Sequence, residues 1–113
     1  MYKLYSYWSA PKPEDVEAFE DYYASTHCPK AEVVPGLARL VTSRTNEGFE
    51  GGESIHYRIA EMVFPDKAAF QVATESEQWT TLRECSGTMI ERFGVSLTVE
   101  AGEEVIADLP EAV

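Results

Sequence analysis

The sequence predicts an α+β domain whose elements run in the order β-α-β-β-α-β. Segments at residues 2–8, 37–45, 55–64 and 95–99 combine aromatic and β-branched residues, partly in alternation, which is typical of strands. Apolar residues at helical spacing separate the first strand from the second and the third from the fourth. This order is the ferredoxin-like pattern, so we expect an antiparallel sheet with its helices on one face.

The first helix is predicted to begin at Pro13 and to run to about His27. Proline favours the first helical position, and acidic residues directly after it meet the positive end of the helix dipole. Phe19, Tyr23 and His27 are four residues apart and therefore share one helix face. We expect the helix to end just beyond His27, because Pro29 interrupts the backbone hydrogen bonds of a helix.

The residue pattern of the second and third strands predicts which faces of the sheet are covered. Residues 37–45 alternate between two faces and are followed by a glycine-rich connection at residues 46–52. Residues 55–64 carry apolar side chains on both faces, which indicates that both sides of the sheet are covered. Because helices cover only one side, we expect a second copy of the same sheet on the other, which makes the protein a homodimer.

The second helical region begins at Asp66, restarts at Glu75 or Ser76, and ends before Gly94. Its large apolar side chains are expected to pack in the core: Trp79, Leu82 and Met89. Clean alternation over residues 95–99 then gives the fourth strand.

A length of 113 residues fits one domain, which we place at residues 1–100. The acidic remainder, residues 101–113, is predicted to be a tail or to form a short extra strand at residues 103–107.

Charge and composition exclude several classes of partner. The chain has 9 basic and 20 acidic residues and a net charge of -11, which argues against binding to nucleic acid or to anionic membrane surfaces. No apolar run is long enough to span a bilayer, and the first residues do not read as a signal peptide. Two cysteines are too few for a disulfide scaffold, so we expect a cytoplasmic protein with free thiols.

Metal and cofactor motifs are absent from the sequence. His27 and His56 lie far apart and form no zinc-binding spacing, and no glycine-rich phosphate loop occurs. We therefore expect no metal and no cofactor. A haem needs only one axial histidine, so a haem-dependent oxygenase ranks as the third of the functional hypotheses.

His27 is the residue best suited to proton transfer. It lies one helical turn from Tyr23, and histidine is the side chain whose ordinary pKa suits proton transfer near neutrality. The alternative is that His27 caps the end of the helix, where a protonated imidazole gains from the helix dipole. The sequence leaves both readings open.

At this segment the chain resembles the EthD family, which is named for a protein linked to the degradation of ethyl tert-butyl ether. The residues that match the family pattern are Phe19, Tyr22, Tyr23, His27, Pro29, Pro35, Gly36 and Leu37. The resemblance implies a dimeric α+β barrel, in which two ferredoxin-like sheets pack together. Related barrels include isomerases, cyclases, cofactor-free monooxygenases and haem enzymes. Leu40 departs from the pattern, since many members carry an aromatic residue there.

Further pocket residues are predicted on the strands. His56 and Arg58 are two residues apart, hence on the same face, where they suit an enolate or carboxylate oxygen or a cross-strand ion pair with an acidic residue. Tyr7 can orient a polar ligand through its hydroxyl or serve as a core aromatic. Glu61 interrupts an apolar face, either in an ion pair with an arginine or as a pocket carboxylate with a raised pKa.

Together these observations predict a small dimeric enzyme that acts on an aromatic, lactone or ether-derived metabolite by acid-base chemistry. An isomerase, cyclase or oxidoreductase-like reaction fits the resemblance. His27 would transfer the proton, Tyr23 would orient it, and the pocket would contain Tyr7, His56, Arg58 and Glu61. The alternative hypothesis is a non-catalytic dimeric binding or accessory protein of an oxidative degradation system.

Overall fold

The structure is a computed structural model that describes residues 1–111. It contains an antiparallel sheet of four strands in the order β2-β3-β1-β4. The strands are β1 (Tyr2–Trp8), β2 (Arg39–Arg44), β3 (Arg58–Phe64) and β4 (Leu97–Glu103). The ferredoxin-like order predicted from the sequence is confirmed.

The helices lie on one face of the sheet. After a 3₁₀ turn at Pro13–Asp15, they are α1 (Val16–Tyr22), a π-helical turn (Tyr23–His27), α2 (Cys28–Glu32), α3 (Lys67–Thr74) and α4 (Glu77–Phe93). The Asp66 carboxylate accepts a hydrogen bond from the Ala69 amide at 2.8 Å and starts α3. The Ser76 hydroxyl does the same for the Trp79 amide at 3.1 Å and starts α4. Gly94 ends α4 with a φ of 64°, which favours glycine.

The expectation that the first helix ends near Pro29 is wrong. The chain widens into the π-helical turn, where the Cys28 amide donates to the Tyr23 carbonyl five residues earlier, and α2 then continues to Glu32. Pro29 is the second residue of α2, a position in the first helical turn where its missing N–H is tolerated. His27 is therefore inside a continuous helical segment, and the helix-capping interpretation of His27 is wrong as well.

The third strand is shorter than predicted and starts with a bulge. Arg58 pairs with Trp8, and the preceding Tyr57 amide also donates to the Trp8 carbonyl at 2.7 Å. Two residues thus oppose one, which shifts the alternation of side chains. The Tyr57 ring packs in the core against Phe19, whereas the His56 ring turns to the other side of the sheet.

The two faces of the sheet differ in cover. The face under the helices, here called the helix face, includes Leu4 and Trp8 of β1 and is buried. The opposite face, here called the open face, includes Tyr5 and Tyr7 of β1, which are only half-buried. The molecule measures 44 × 42 × 20 Å, so it is a slab of one sheet and one helix layer.

The C-terminal end of the sheet differs from the prediction. β4 pairs with β1 as far as Glu103, opposite Tyr2, and so passes the predicted domain boundary at residue 100. Residues 104–107 form no strand, so the extra strand predicted at residues 103–107 is not present. The last two residues of the predicted acidic tail, 112–113, lie outside the described residues.

Candidate functional site

A cavity lies between the helix face of the sheet and the helices. The space open to the centre of a water molecule is about 40 Å³, within an atom-free volume of about 500 Å³ that includes the mouth. Its lining residues are Leu4, Ser6, Trp8, Tyr23, His27, Cys28, Ala31, Leu40, Thr42, Ala60, Met62, Trp79, Leu82, Arg83, Ser86, Leu97 and Val99. Most of the lining is apolar, with a small number of polar groups, as is typical of sites for small organic molecules.

His27 is buried in the wall of this cavity. Its side chain is held between rings: the Trp8 ring meets it edge-on at 5.4 Å, and the Tyr23 ring stacks on it at 5.6 Å, both between centroids. The Nδ1 atom lies 3.2 Å from Sγ of Cys85 on α4, within hydrogen-bond distance for sulfur. The π-helical turn carries Tyr23 at one end and His27 at the other, so both side chains face the sheet.

Burial keeps the side chains of His27 and Tyr23 uncharged. The loss of solvation lowers the pKa of His27 to about 4, and the positive charge of Lys30 adds to this effect. Burial likewise raises the pKa of the Tyr23 hydroxyl well above its ordinary value. At neutral pH the site therefore presents a neutral imidazole and a neutral phenol.

Arg58 lies behind Tyr23 rather than in the cavity wall. Its guanidinium forms a two-pronged ion pair with the Glu20 carboxylate and stands 5.0 Å from the centroid of the Tyr23 ring. Burial disfavours the ionised form of Glu20, but the hydrogen bond and charge of Arg58 outweigh it and lower the pKa of Glu20. Arg58 thus pairs with a helix residue, so the cross-strand ion pair predicted for it is wrong, and Arg58 supports the ring of Tyr23.

The structure separates three of the predicted pocket residues from His27. Tyr7 and His56 pack together on the open face with ring centroids 4.8 Å apart, and neither belongs to the cavity lining. Glu61 is on the same face, where Lys3 contacts it at 3.0 Å. The prediction that His56 shares a face with Arg58 is wrong, because the bulge at Tyr57 reverses the alternation between them.

A known protein family matches most of this chain. The model described as the EthD domain matches residues 11–90. The chain belongs to the EthD family. The matched residues include the π-helical turn with Tyr23 and His27, and the part of α4 that lines the cavity.

Solved structures share the fold of this EthD domain over nearly the whole chain. An ethyl tert-butyl ether degradation (EthD) family protein from Bacillus halodurans is 28% identical, with a TM-score of 0.80, over 93% of this chain and 99% of that one. An EthD-like protein from Ralstonia eutropha is 15% identical, with a TM-score of 0.66, over 95% and 94% of the two chains. A protein from Deinococcus radiodurans, named as an antibiotic biosynthesis monooxygenase, is 11% identical with a TM-score of 0.69, over 99% and 100%. No protein of curated function matches closely enough to count as a relative.

Several residues at the site of this EthD domain carry little or no signal in the sequence. Trp79 and Leu82 were expected to be packing residues, yet both line the cavity from α4. Cys85 was not linked to His27, because 58 positions separate them and no motif joins them. Ser6 did carry a signal, since it is the one hydroxyl between Leu4 and Trp8 on the buried face of β1.

The described residues offer neither a metal cluster nor a membrane-spanning helix. Within residues 1–111, no group of three or more His, Cys, Asp or Glu side chains is placed to hold a metal ion. None of the helices described for this chain is long and apolar enough to cross a membrane.

Proposed function

We propose that this EthD domain is a small dimeric enzyme that moves a proton on a small organic molecule held in the cavity, without a tightly bound cofactor. Aromatic, lactone and ether-derived compounds are the substrates that an apolar cavity of this size suits, and an isomerase, cyclase or oxidoreductase-like step fits the chemistry. The observation that carries the proposal is the neutral, buried imidazole of His27 in the cavity wall.

His27 is the proton acceptor in this proposal. In the tautomer in which Nδ1–H donates to Sγ of Cys85, Nε2 carries the lone pair that accepts a proton from a ligand. A neutral imidazole can take a proton from an activated C–H or from a hydroxyl group of the ligand and return it at another position. The neutral phenol of Tyr23, stacked against the imidazole, is a hydrogen-bond donor for the oxygen on which negative charge develops.

The low pKa of His27 sets the conditions for this step. With a pKa of about 4, the imidazole is fully in its accepting form at neutral pH, but it is a weak base toward a neutral ligand. Its basicity rises when an enolate or alkoxide forms beside it, because the new imidazolium is then paired with a negative charge in an apolar cavity. The site thus favours substrates in which proton removal and oxyanion formation occur together.

The open face supports the dimer in this proposal. It carries apolar side chains, including Val41 on β2 and Ile59 on β3, and the helices lie on the other side. Further apolar side chains are exposed in the loop and tail segments beside the sheet: Phe49, Ile55, Val105, Ile106 and Leu109. A second copy of the same sheet is the simplest cover for such a surface, because a two-fold dimer uses the same patch on both chains.

Exchange of acidic protons for deuterium tests the reaction. Enolisable lactones and aryl ketones would be incubated with the protein in D₂O, and loss of the C–H signal would be followed by NMR. We expect acceleration by the natural protein and a loss of about a hundredfold in His27→Gln, which keeps the volume but not the base. His56→Gln is the matched control, since that histidine lies on the open face, and it is expected to retain the rate.

The alternative is a non-catalytic dimeric binding or accessory protein of an oxidative degradation system, and the low basicity of His27 favours it. With a pKa of about 4, the buried imidazole is a poor base toward a neutral ligand, which would bind without giving up a proton. This alternative predicts saturable binding of small aromatic compounds with no exchange in any of them. A rate that is equal in the natural protein and in His27→Gln would likewise remove His27 from the mechanism.

A further inference from the structure

The cavity carries one permanent charge, and that charge is positive. Among its lining residues Arg83 is the single Lys or Arg, and none is Asp or Glu. This contrasts with the whole chain, in which 20 acidic residues face 9 basic ones. Because acidic residues are so abundant in the chain, we would expect carboxylates beside the cavity. Their absence from the lining is therefore a feature of the site.

The helix positions that usually supply an ion-pair partner carry no carboxylate next to Arg83. On α4 its neighbours at three and four positions are uncharged: Trp79, Thr80, Ser86 and Gly87. Such neighbours are the usual partners of an arginine on a helix. The ion pairs formed within residues 1–111 join Lys3 to Glu61 and Glu104, and Arg58 to Glu20, and none of them involves Arg83.

The position of Arg83 puts this charge at the mouth of the cavity. Arg83 is exposed, whereas Leu82 and Ser86 on the same helix are buried. Buried Trp8 and His27 line the same cavity deeper in the fold. The site therefore has an apolar, ring-lined interior and a cationic rim.

We infer that the cavity selects organic anions: small molecules with an aromatic or apolar body and one carboxylate, enolate or phenolate group. The body enters the cavity, and Arg83 holds the anionic oxygens in the geometry that a guanidinium prefers. The inference rests on the proposed function only in taking this cavity as the ligand site, and it holds whether or not a reaction follows.

The overall charge of -11 does not prevent this selection. At physiological ionic strength the Debye length is about 8 Å, so distant surface carboxylates are largely screened at the mouth. Arg83 acts at contact distance, where screening is weakest. The net charge would slow the approach of an anion, while Arg83 would decide which ligand stays bound.

Tryptophan fluorescence tests the inference directly. The chain has two tryptophans, Trp8 and Trp79, and both line the cavity, so a bound ligand is expected to change the emission. Benzoate and benzamide are the probes, since they have nearly the same shape and differ in charge. Each would be titrated into the natural protein, into Arg83→Gln, and into the control Arg92→Gln.

Arg92 makes the control a close one. It is also an exposed arginine of α4, but it packs over the Tyr22 and Phe93 rings and lies outside the cavity lining. We expect benzoate to bind at least tenfold more tightly than benzamide to the natural protein and to Arg92→Gln. In Arg83→Gln this preference should disappear, with the affinity for benzamide unchanged.

Three results would overturn the inference: equal affinities for the two probes in the natural protein, a preference that survives in Arg83→Gln, or no saturable change with either probe. Failure of the proposed reaction has a different signature. If deuterium exchange is absent while the benzoate preference still depends on Arg83, the reaction is wrong and the anion site stands.

Discussion

Nδ1 of His27 lies 3.2 Å from Sγ of Cys85, which joins the π-helical turn to the middle of α4. A thiol is a weak hydrogen-bond donor and acceptor, so it orients the imidazole without adding a charge to the cavity. The ring also stacks on Tyr23 and meets the edge of Trp8. Within residues 1–111, Cys85 is therefore the side chain whose hydrogen bond orients the imidazole through Nδ1.

The first prediction concerns Cys85→Ala. Loss of the thiol leaves Nδ1 without its partner and lets the ring turn, so the exchange rate is expected to fall about fivefold, in keeping with a net hydrogen-bond contribution of about 1 kcal/mol. Cys28→Ala is the comparison, because it removes a thiol from the wall of the cavity that His27 lines but leaves the contact between His27 and Cys85. An equal fall in both variants would assign the effect to packing rather than to orientation of His27.

The second prediction concerns stability at mildly acid pH. The pKa of His27 is about 4 in the folded protein and about 6.5 in the unfolded chain. The unfolded state thus binds more protons between these values, so the free energy of unfolding should fall as the pH drops from 6.5 to 4, by at most about 3 kcal/mol. Urea denaturation at several pH values measures this slope.

The matched variant for that measurement is His27→Gln. It should flatten the slope between pH 6.5 and 5, a range above the lowered pKa of Glu20. An unchanged slope in His27→Gln would mean that the imidazole is not buried in its neutral form. Below pH 4.5 both proteins should lose stability, because protonation of Glu20 then breaks its ion pair with Arg58.

The third prediction concerns this ion pair behind Tyr23. Glu20→Gln removes the carboxylate that holds Arg58, and since the pair is partly exposed, the free energy of unfolding should fall by only about 1 kcal/mol. The released guanidinium no longer keeps its place over the Tyr23 ring, so the exchange rate should fall as well. Glu17→Gln, an exposed change on the same helix, is expected to alter neither quantity.

Local chemistry explains what the sequence could predict. Residues that act on the backbone next to them, such as the capping residues Asp66 and Ser76 and the terminating Gly94, appear at the helix ends where the pattern places them. The helical spacing of Tyr23 and His27 likewise puts both in one cavity wall. These features depend on neighbours within four or five positions, which a sequence displays directly.

Features that depend on a shift in register escaped prediction. The π-helical turn before Pro29 and the bulge at Tyr57 each add a residue to a regular element, and after each one the periodicity points to a different face. The bulge is why the regular alternation groups His56 with Arg58, although the two side chains lie on opposite faces. The contact of His27 with Cys85 joins distant segments, and only the packed fold reveals it.

The fourth prediction concerns the dimer and uses one change on each side of the slab. Ile59 is a half-buried apolar residue on the open face, opposite Tyr7 in the sheet. Ile59→Asp would place an unpaired carboxylate in the interface between two sheets, which is strongly unfavourable, so light scattering should give the mass of one chain instead of two. Val72→Asp adds the same charge to an exposed position on α3 and should leave the dimer intact. A natural protein with the mass of one chain at micromolar concentration, or an Ile59→Asp protein that is still dimeric, would place the interface elsewhere or remove it.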